Sequence, residues 1–201
     1  MQDEDAGEMS RVEVMTLDPM LRTLLFTDGT VTRVLEAQTL RRAAVEVVEQ
    51  SHASPSPRTA CLLDVSSDSE CVRRRITMRT VDSAPSVWAE SHILPERLPT
   101  GFVGRLDSTP HGIGGSIEQT RLESRRELLW FRLGSPPRWA SEVSPSASAL
   151  IRLYRIITND RPALLICEAF AVERRLDVYR LVGWSEAPAG VANGSALSAS
   201  E

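Results

Sequence analysis

The sequence contains no lysine; all 23 of its basic residues are arginine. Set against 27 acidic residues they leave a formal charge of -4, which gives no bulk attraction for nucleic acid. Cysteine is scarce. Cys61, Cys71 and Cys167 are odd in number and widely spaced, with no CxxC and no nearby histidine pair. That argues against a disulfide framework or a zinc site and reads them as small core residues. No apolar run approaches the length of a membrane span. The opening MQDEDAGEMS is acidic and lacks the basic start and apolar stretch of a secretion signal, so a cytoplasmic protein is expected. A phosphate loop is also missing: STPHGIGGSI reads as a Gly-rich loop but has no closing Gly-Lys-Ser/Thr.

What is present is an ordinary globular composition, 42% hydrophobic and 25% charged over 201 residues, enough for one domain with a full-sized core. Residues 1–16 and the Ala/Gly/Ser/Pro-rich end 186–201 read as tails, leaving a domain over 17–185. LDPMLRTLLF predicts a helix with Asp18 as N-cap and Pro19 at its first position, followed by the turn TDGT. TVTRVLEA and RAAVEVVEQ read as strands and SHASPSPRTA as a loop. CVRRRITMRTV and SVWAESHIL read as two strands joined by DSAP. PERLPTGFVGRL predicts a short helix interrupted at Pro99 and Gly101. RRELLWFRLG, ALIRLYRIIT and PALLICEAFAVE give three further strands, the last two joined by NDR. Strands linked by short turns, with few helices, predict an α+β domain built on a single antiparallel sheet.

Three charged residues interrupt apolar faces. In RPALLICEAF, Leu164, Ile166, Glu168 and Phe170 share one face of a strand. An unpaired carboxylate there costs several kcal/mol, so it implies a cationic partner, a raised pKa or a pocket. Arg74 is the one charge among Val72, Ile76 and Met78, and a guanidinium persists there only with acceptors to bond. Arg155 falls with Ile151, Leu153 and Ile157, and Arg152 with Tyr154, so one of these arginines also faces inward. Two explanations fit: a buried Arg74–Glu168 ion pair with no ligand, or a pocket whose arginines take the carboxylates of a small dianion while Glu168 meets its hydroxyl. His92 and His111 have no partnering Ser/Asp or Cys motif for a hydrolytic triad.

The ordered set LLFTDGTVTRVLEA, the R-x-I-x-M run from Arg74, WAESHILPERLP, GIGG, RLYRII and RPALLICEAF resembles the chorismate pyruvate-lyase (4-hydroxybenzoate synthase) family, especially its actinobacterial branch, over residues 17–172. The resemblance implies an internal ligand cavity closed by helical flaps. It implies removal of pyruvate from chorismate, without metal or organic cofactor, to leave 4-hydroxybenzoate. It assigns the carboxylate-binding arginine to Arg74, with Arg73 or Arg75 as alternatives one residue away, and the acid near the ring hydroxyl to Glu168. Main-chain contacts to product fall on Val31 and Ile113. Arg155, or failing that Arg152, is expected from the strand faces to receive the enolpyruvyl carboxylate. The expected partner is therefore a small dianionic acid, with no nucleic acid and no membrane. Two other readings remain: an enzyme for a related cyclohexadienyl or aromatic acid, and a non-catalytic effector-binding domain.

Overall fold

A computed structural model describes residues 13–80, 86–108, 112–140, 148–175 and 177–181. The connection predicted at 82–85, His111 and the segment from 186 lie outside these residues. Helix α1, Pro19–Phe26, starts as the sequence indicates: the Asp18 side chain accepts from the Leu21 N–H at 2.7 Å, and Pro19 occupies the first turn, where an N–H is unneeded. Its buried face is Met20, Leu21, Leu24 and Leu25.

The sheet is antiparallel throughout. Its seven strands are β1 (Ala43–Ala53), β2 (Cys71–Thr80), β3 (Val87–Ile93), β4 (Arg125–Gly134), β5 (Ser148–Thr158), β6 (Arg161–Arg175) and β7 (Val178–Leu181). They lie in the order β1-β2-β3-β6-β5-β4, with β7 paired to the far end of β6. The β5–β6 hairpin turns at Asn159 and Asp160, both at positive φ (47° and 58°), where Asn and Asp tolerate the left-handed region better than most residues. The α+β class and the single sheet are thus as expected.

Several elements depart from the sequence reading. TVTRVLEA, read as a strand, forms helix α2 (Val31–Thr39): Val31, Val34 and Leu35 recur at helical spacing and pack with α1, overriding the strand preference of β-branched residues. The loop assigned to SHASPSPRTA instead completes β1 and opens helix α3 (Pro57–Leu63), where the Ser56 hydroxyl accepts from the Thr59 N–H at 3.2 Å. PERLPTGFVGRL is interrupted as expected, a 3-10 turn at Pro95–Arg97 preceding helix α4 (Phe102–Ser108). The Gly-rich stretch beyond it contains helix α5 (Gly112–Thr120), despite a cost of about 1 kcal/mol per interior glycine. Strand β7 was not anticipated.

The two faces of the sheet are covered differently. Helix α3 and the Trp139–Ala140 segment lie on one face, against Leu165, Ala169 and Ala171 of β6. The other carries two separate apolar clusters. Helices α1 and α2 gather Met78, Val87, Leu150 and Phe170 at one end; α4 and α5 gather Val72, Ile93, Ile156 and Leu164 at the other. Between the clusters the sheet surface is left partly open. Among the described residues no helix is long and apolar enough to cross a membrane.

Candidate active site

The hollow follows from side-chain size on β3. Strand pairing sets Arg74, Ser91, Ile166 and Tyr154 in one cross-strand row, and Ile76, Ala89, Glu168 and Arg152 in the next. Ser91 and Ala89 are the short members of their rows, so the floor is low where β3 runs. The space above is a pocket of about 520 Å³ including its mouth, lined by both Arg74 and Glu168. It is roofed by the starts of α2 and α5, through Thr30–Thr32 and Gly112–Gly114. These two segments meet closely: a Cβ on Gly114 would come within 2.6 Å of the Thr30 methyl, so only glycine permits the approach. Outside the pocket, Arg33 and Glu118 join α2 to α5 at 2.6 Å.

Arg74 and Glu168 are both buried, at 3% and 4% exposure, on two strands about 10 Å apart with β3 between them, and one cross-strand row out of step. They do not neutralise each other. The Arg74 guanidinium donates to the Leu106 carbonyl of α4 at 3.0 Å and to the Gln50 side-chain oxygen of β1. Glu168 has a different cation: Arg152 donates through Nε to Oε2 at 2.7 Å, and its Nη2 lies 2.6 Å from the same oxygen. The Tyr154 hydroxyl donates to Oε1 at 3.1 Å. Arg152 also caps α1, donating through Nη1 to the carbonyls of Leu24 and Leu25 (3.0 Å for Leu25). Burial is the largest influence on Arg152 and opposes its charge, but the Glu168 carboxylate and Tyr154 together outweigh it and push the guanidinium pKa up. Burial, and then the Glu168 charge, push the Tyr154 phenol up as well, so it stays a neutral donor. The pocket also holds a buried hydroxyl, Thr32 Oγ1, with no partner among the described residues.

Of the residues singled out from sequence, Arg74, Glu168, Val31 and Ile113 line this one pocket. Arg155 does not, which corrects the expectation that it faces the ligand. It lies on the opposite face, where Nε and Nη2 grip Glu127 at 3.1 and 3.0 Å and Nη1 donates to the Leu62 carbonyl. The apolar neighbours that marked its face as internal, such as Leu153, pack beneath α3 and not in the cavity. The inward arginine of β5 is Arg152, and it is held by Glu168 and the end of α1. Arg73 and Arg75 are likewise on the other face, bound to Glu49 and Glu90. Tyr154 and Arg126 were missed. Tyr154 shares the face of Arg152, a signal present in RLYRII; Arg126 stands next to Arg125 in a charged strand start, where nothing marks one arginine over the other.

On that opposite face a smaller hollow includes Glu90, His92 and Cys167. Burial pushes the Cys167 thiol up to about 12, with the Glu90 and Glu168 charges adding, so it is an unreactive thiol. Glu90 behaves oppositely. Burial raises its pKa, but hydrogen bonds from His92 (3.2 Å) and Arg75 (2.7 Å) outweigh burial and bring it down to about 2. A depressed carboxylate stabilises the fold above its ordinary pKa of 4.5, and that contribution is lost as pH falls towards about 2. Glu90→Gln is therefore expected to lower the urea midpoint at pH 7 and to flatten its decline between those two values. An unchanged acid limb in the variant would exclude Glu90 as its source.

The fold is that of the ligand-binding domains attached to a class of bacterial regulators. The effector domain of PhnF from Mycobacterium smegmatis superimposes with a TM-score of 0.57 at 12% identity, over 73% of this chain and 90% of that one. A GntR-family transcriptional regulator from Bacillus cereus gives a TM-score of 0.51 at 11% identity, over 64% of this chain and 90% of the other. Sequence is more specific. Residues 25–178 match the family described as Chorismate pyruvate-lyase Rv2949c-like. The Chorismate pyruvate-lyase of Mycobacterium leprae is 30% identical over 166 residues, 81% of this chain and 79% of the relative. That of Mycobacterium tuberculosis strain H37Rv is 28% identical over 168 residues, 81% and 84% of the two chains. The chain belongs to the Rv2949c-like chorismate pyruvate-lyase family.

Proposed function

We propose that this protein removes pyruvate from chorismate and releases 4-hydroxybenzoate. The observation that carries the reading is that Arg74 and Glu168 line one pocket from either side of β3, each held by its own protein partners. A cation at one end and a hydrogen-bonded carboxylate at the other suit a ring bearing a carboxylate and, opposite it, a hydroxyl. Arg74 takes the ring carboxylate through a charge-assisted bond. Glu168 accepts from the ring hydroxyl with a lone pair that Arg152 and Tyr154 leave available. Val31 and Ile113, at the starts of the roofing helices, contribute main-chain contacts from above.

The reaction is an elimination that balances without a co-reactant. The ether bond between the ring and the enolpyruvyl oxygen breaks, the hydrogen on the hydroxyl-bearing carbon is lost, and the departing enolate takes up a proton to become pyruvate. Aromatisation supplies much of the driving force, so the site needs chiefly to hold one conformer away from water. Glu168 fixes the hydroxyl-bearing carbon beside the breaking bond. Purified protein mixed with chorismate is expected to form 4-hydroxybenzoate and pyruvate in equal amounts.

The regulator-type fold favours a second reading, a ligand-binding domain without turnover. Tight binding of 4-hydroxybenzoate with no pyruvate from chorismate would establish it. Turnover only of a related cyclohexadienyl acid would keep the enzyme and change its substrate.

A further inference from the structure

We propose that Arg126 of β4 binds the second carboxylate of the substrate, the one on the enolpyruvyl ether, and so makes the pocket selective for dicarboxylates. The inference rests on the chorismate reading. A dianion needs a second cationic contact beyond Arg74, and two of the arginines of β4 and β5 are already committed elsewhere. Arg155 is bound by Glu127 across the sheet, and Arg152 is consumed by Glu168 and the end of α1.

Arg126 differs from both. It lines the same pocket as Arg74 and Glu168. Its Nη1 donates to two main-chain carbonyls, Gly29 and Thr27 (3.3 Å for Thr27), and its guanidinium carbon lies 5.4 Å from the centre of the Tyr154 ring. Carbonyls and a ring face orient a guanidinium without cancelling its charge. Among the described residues no carboxylate is within ion-pair distance of it, and its Nε and Nη2 have no protein acceptor.

Its position also suits the chemistry. The ether of chorismate is on the carbon next to the hydroxyl, so its carboxylate must fall to the side of Glu168, off the line from Arg74. Tyr154 spans that offset, with its hydroxyl on Glu168 and its ring beneath Arg126. Because Arg126 holds Gly29 and Thr27, just before α2, its ligand lies beneath the α2 part of the roof.

The test compares two stable probes by calorimetry: 4-hydroxybenzoate, with one carboxylate, and 3-(carboxymethoxy)-4-hydroxybenzoate, which adds an ether acid on the neighbouring carbon. The wild-type protein is expected to bind the dicarboxylate at least about tenfold more tightly. Arg126→Gln should weaken the dicarboxylate roughly 10- to 100-fold, leave 4-hydroxybenzoate within about threefold, and raise KM for chorismate; Arg126→Lys should recover part of the loss. Equal affinity of the wild type for the two probes overturns the proposal without any variant. So does an equal loss for both probes in Arg126→Gln, the mark of a residue that only anchors the loop. If the wild type releases no pyruvate from chorismate, the lyase reading falls, and the ratio of probe affinities still decides whether Arg126 selects dicarboxylates.

Discussion

Arg152→Ala is expected to lower the unfolding free energy by about 3–5 kcal/mol, among the largest losses available to a single substitution in this protein. The side chain is 2% exposed and joins three elements, bonding Glu168 of β6 from β5 and the last carbonyls of α1. Removing it strands the Glu168 carboxylate in the interior and uncaps the helix. Glu168→Gln should be milder, about 1–3 kcal/mol, because the amide oxygen still accepts from Arg152 and the shape is kept. Its effect on turnover is the larger one: a fall of about 100-fold or more is expected, since the neutral amide no longer holds the substrate hydroxyl as a carboxylate does. The paired variant Arg152→Met with Glu168→Leu should regain most of the stability lost in Arg152→Ala while remaining inactive. Urea titration together with a coupled pyruvate assay separates the two effects. Full turnover in Glu168→Gln would remove the acid from the mechanism, and a double variant no more stable than Arg152→Ala would show that the ion pair is not the source of the loss.

The second large effect concerns product binding. Arg74→Ala should weaken 4-hydroxybenzoate by about 2–3 kcal/mol, or roughly 30- to 150-fold, the scale of a charge-assisted bond lost in a buried site. Arg74→Lys should fall between, because a point charge replaces the planar fork that Leu106 and Gln50 now aim. Arg73→Ala is the control. It stands one residue away on the opposite face, bound to Glu49, and should leave product affinity unchanged. If calorimetry finds the reverse order, the carboxylate lies on the other face and the pocket has been assigned to the wrong side of the sheet.

Both predictions depend on strand alternation, which the sequence states directly. Alternating residues in VRRRITM and LLICEAF put Arg74 and Glu168 on apolar faces, and a period of two leaves no other arrangement once those runs are strands. The cap on α1 was equally plain, because Asp-Pro before an apolar run has one dominant local solution. The helices over the pocket were less legible. In TVTRVLEA the β-branched residues suggested a strand, and in STPHGIGGSI the glycines suggested a loop; helix α2 and the helix α5 that begins at Gly112 form because they pack on the sheet and on each other, with Gly114 seated against Thr30.

By itself, then, the chain determined the six long strands of the sheet, their alternation and the presence of buried charge, since these follow from local periodicity and the cost of desolvation. Which charges meet is a matter of strand order and of the bulges along β4 and β5, and no local pattern records either. Only the tertiary structure put β3 between Arg74 and Glu168, turned Arg155 away and Arg152 in, and brought Arg126 to the pocket. The reason is physical: a side chain's face is set by its own strand, but its partner is set by whichever strand lies alongside.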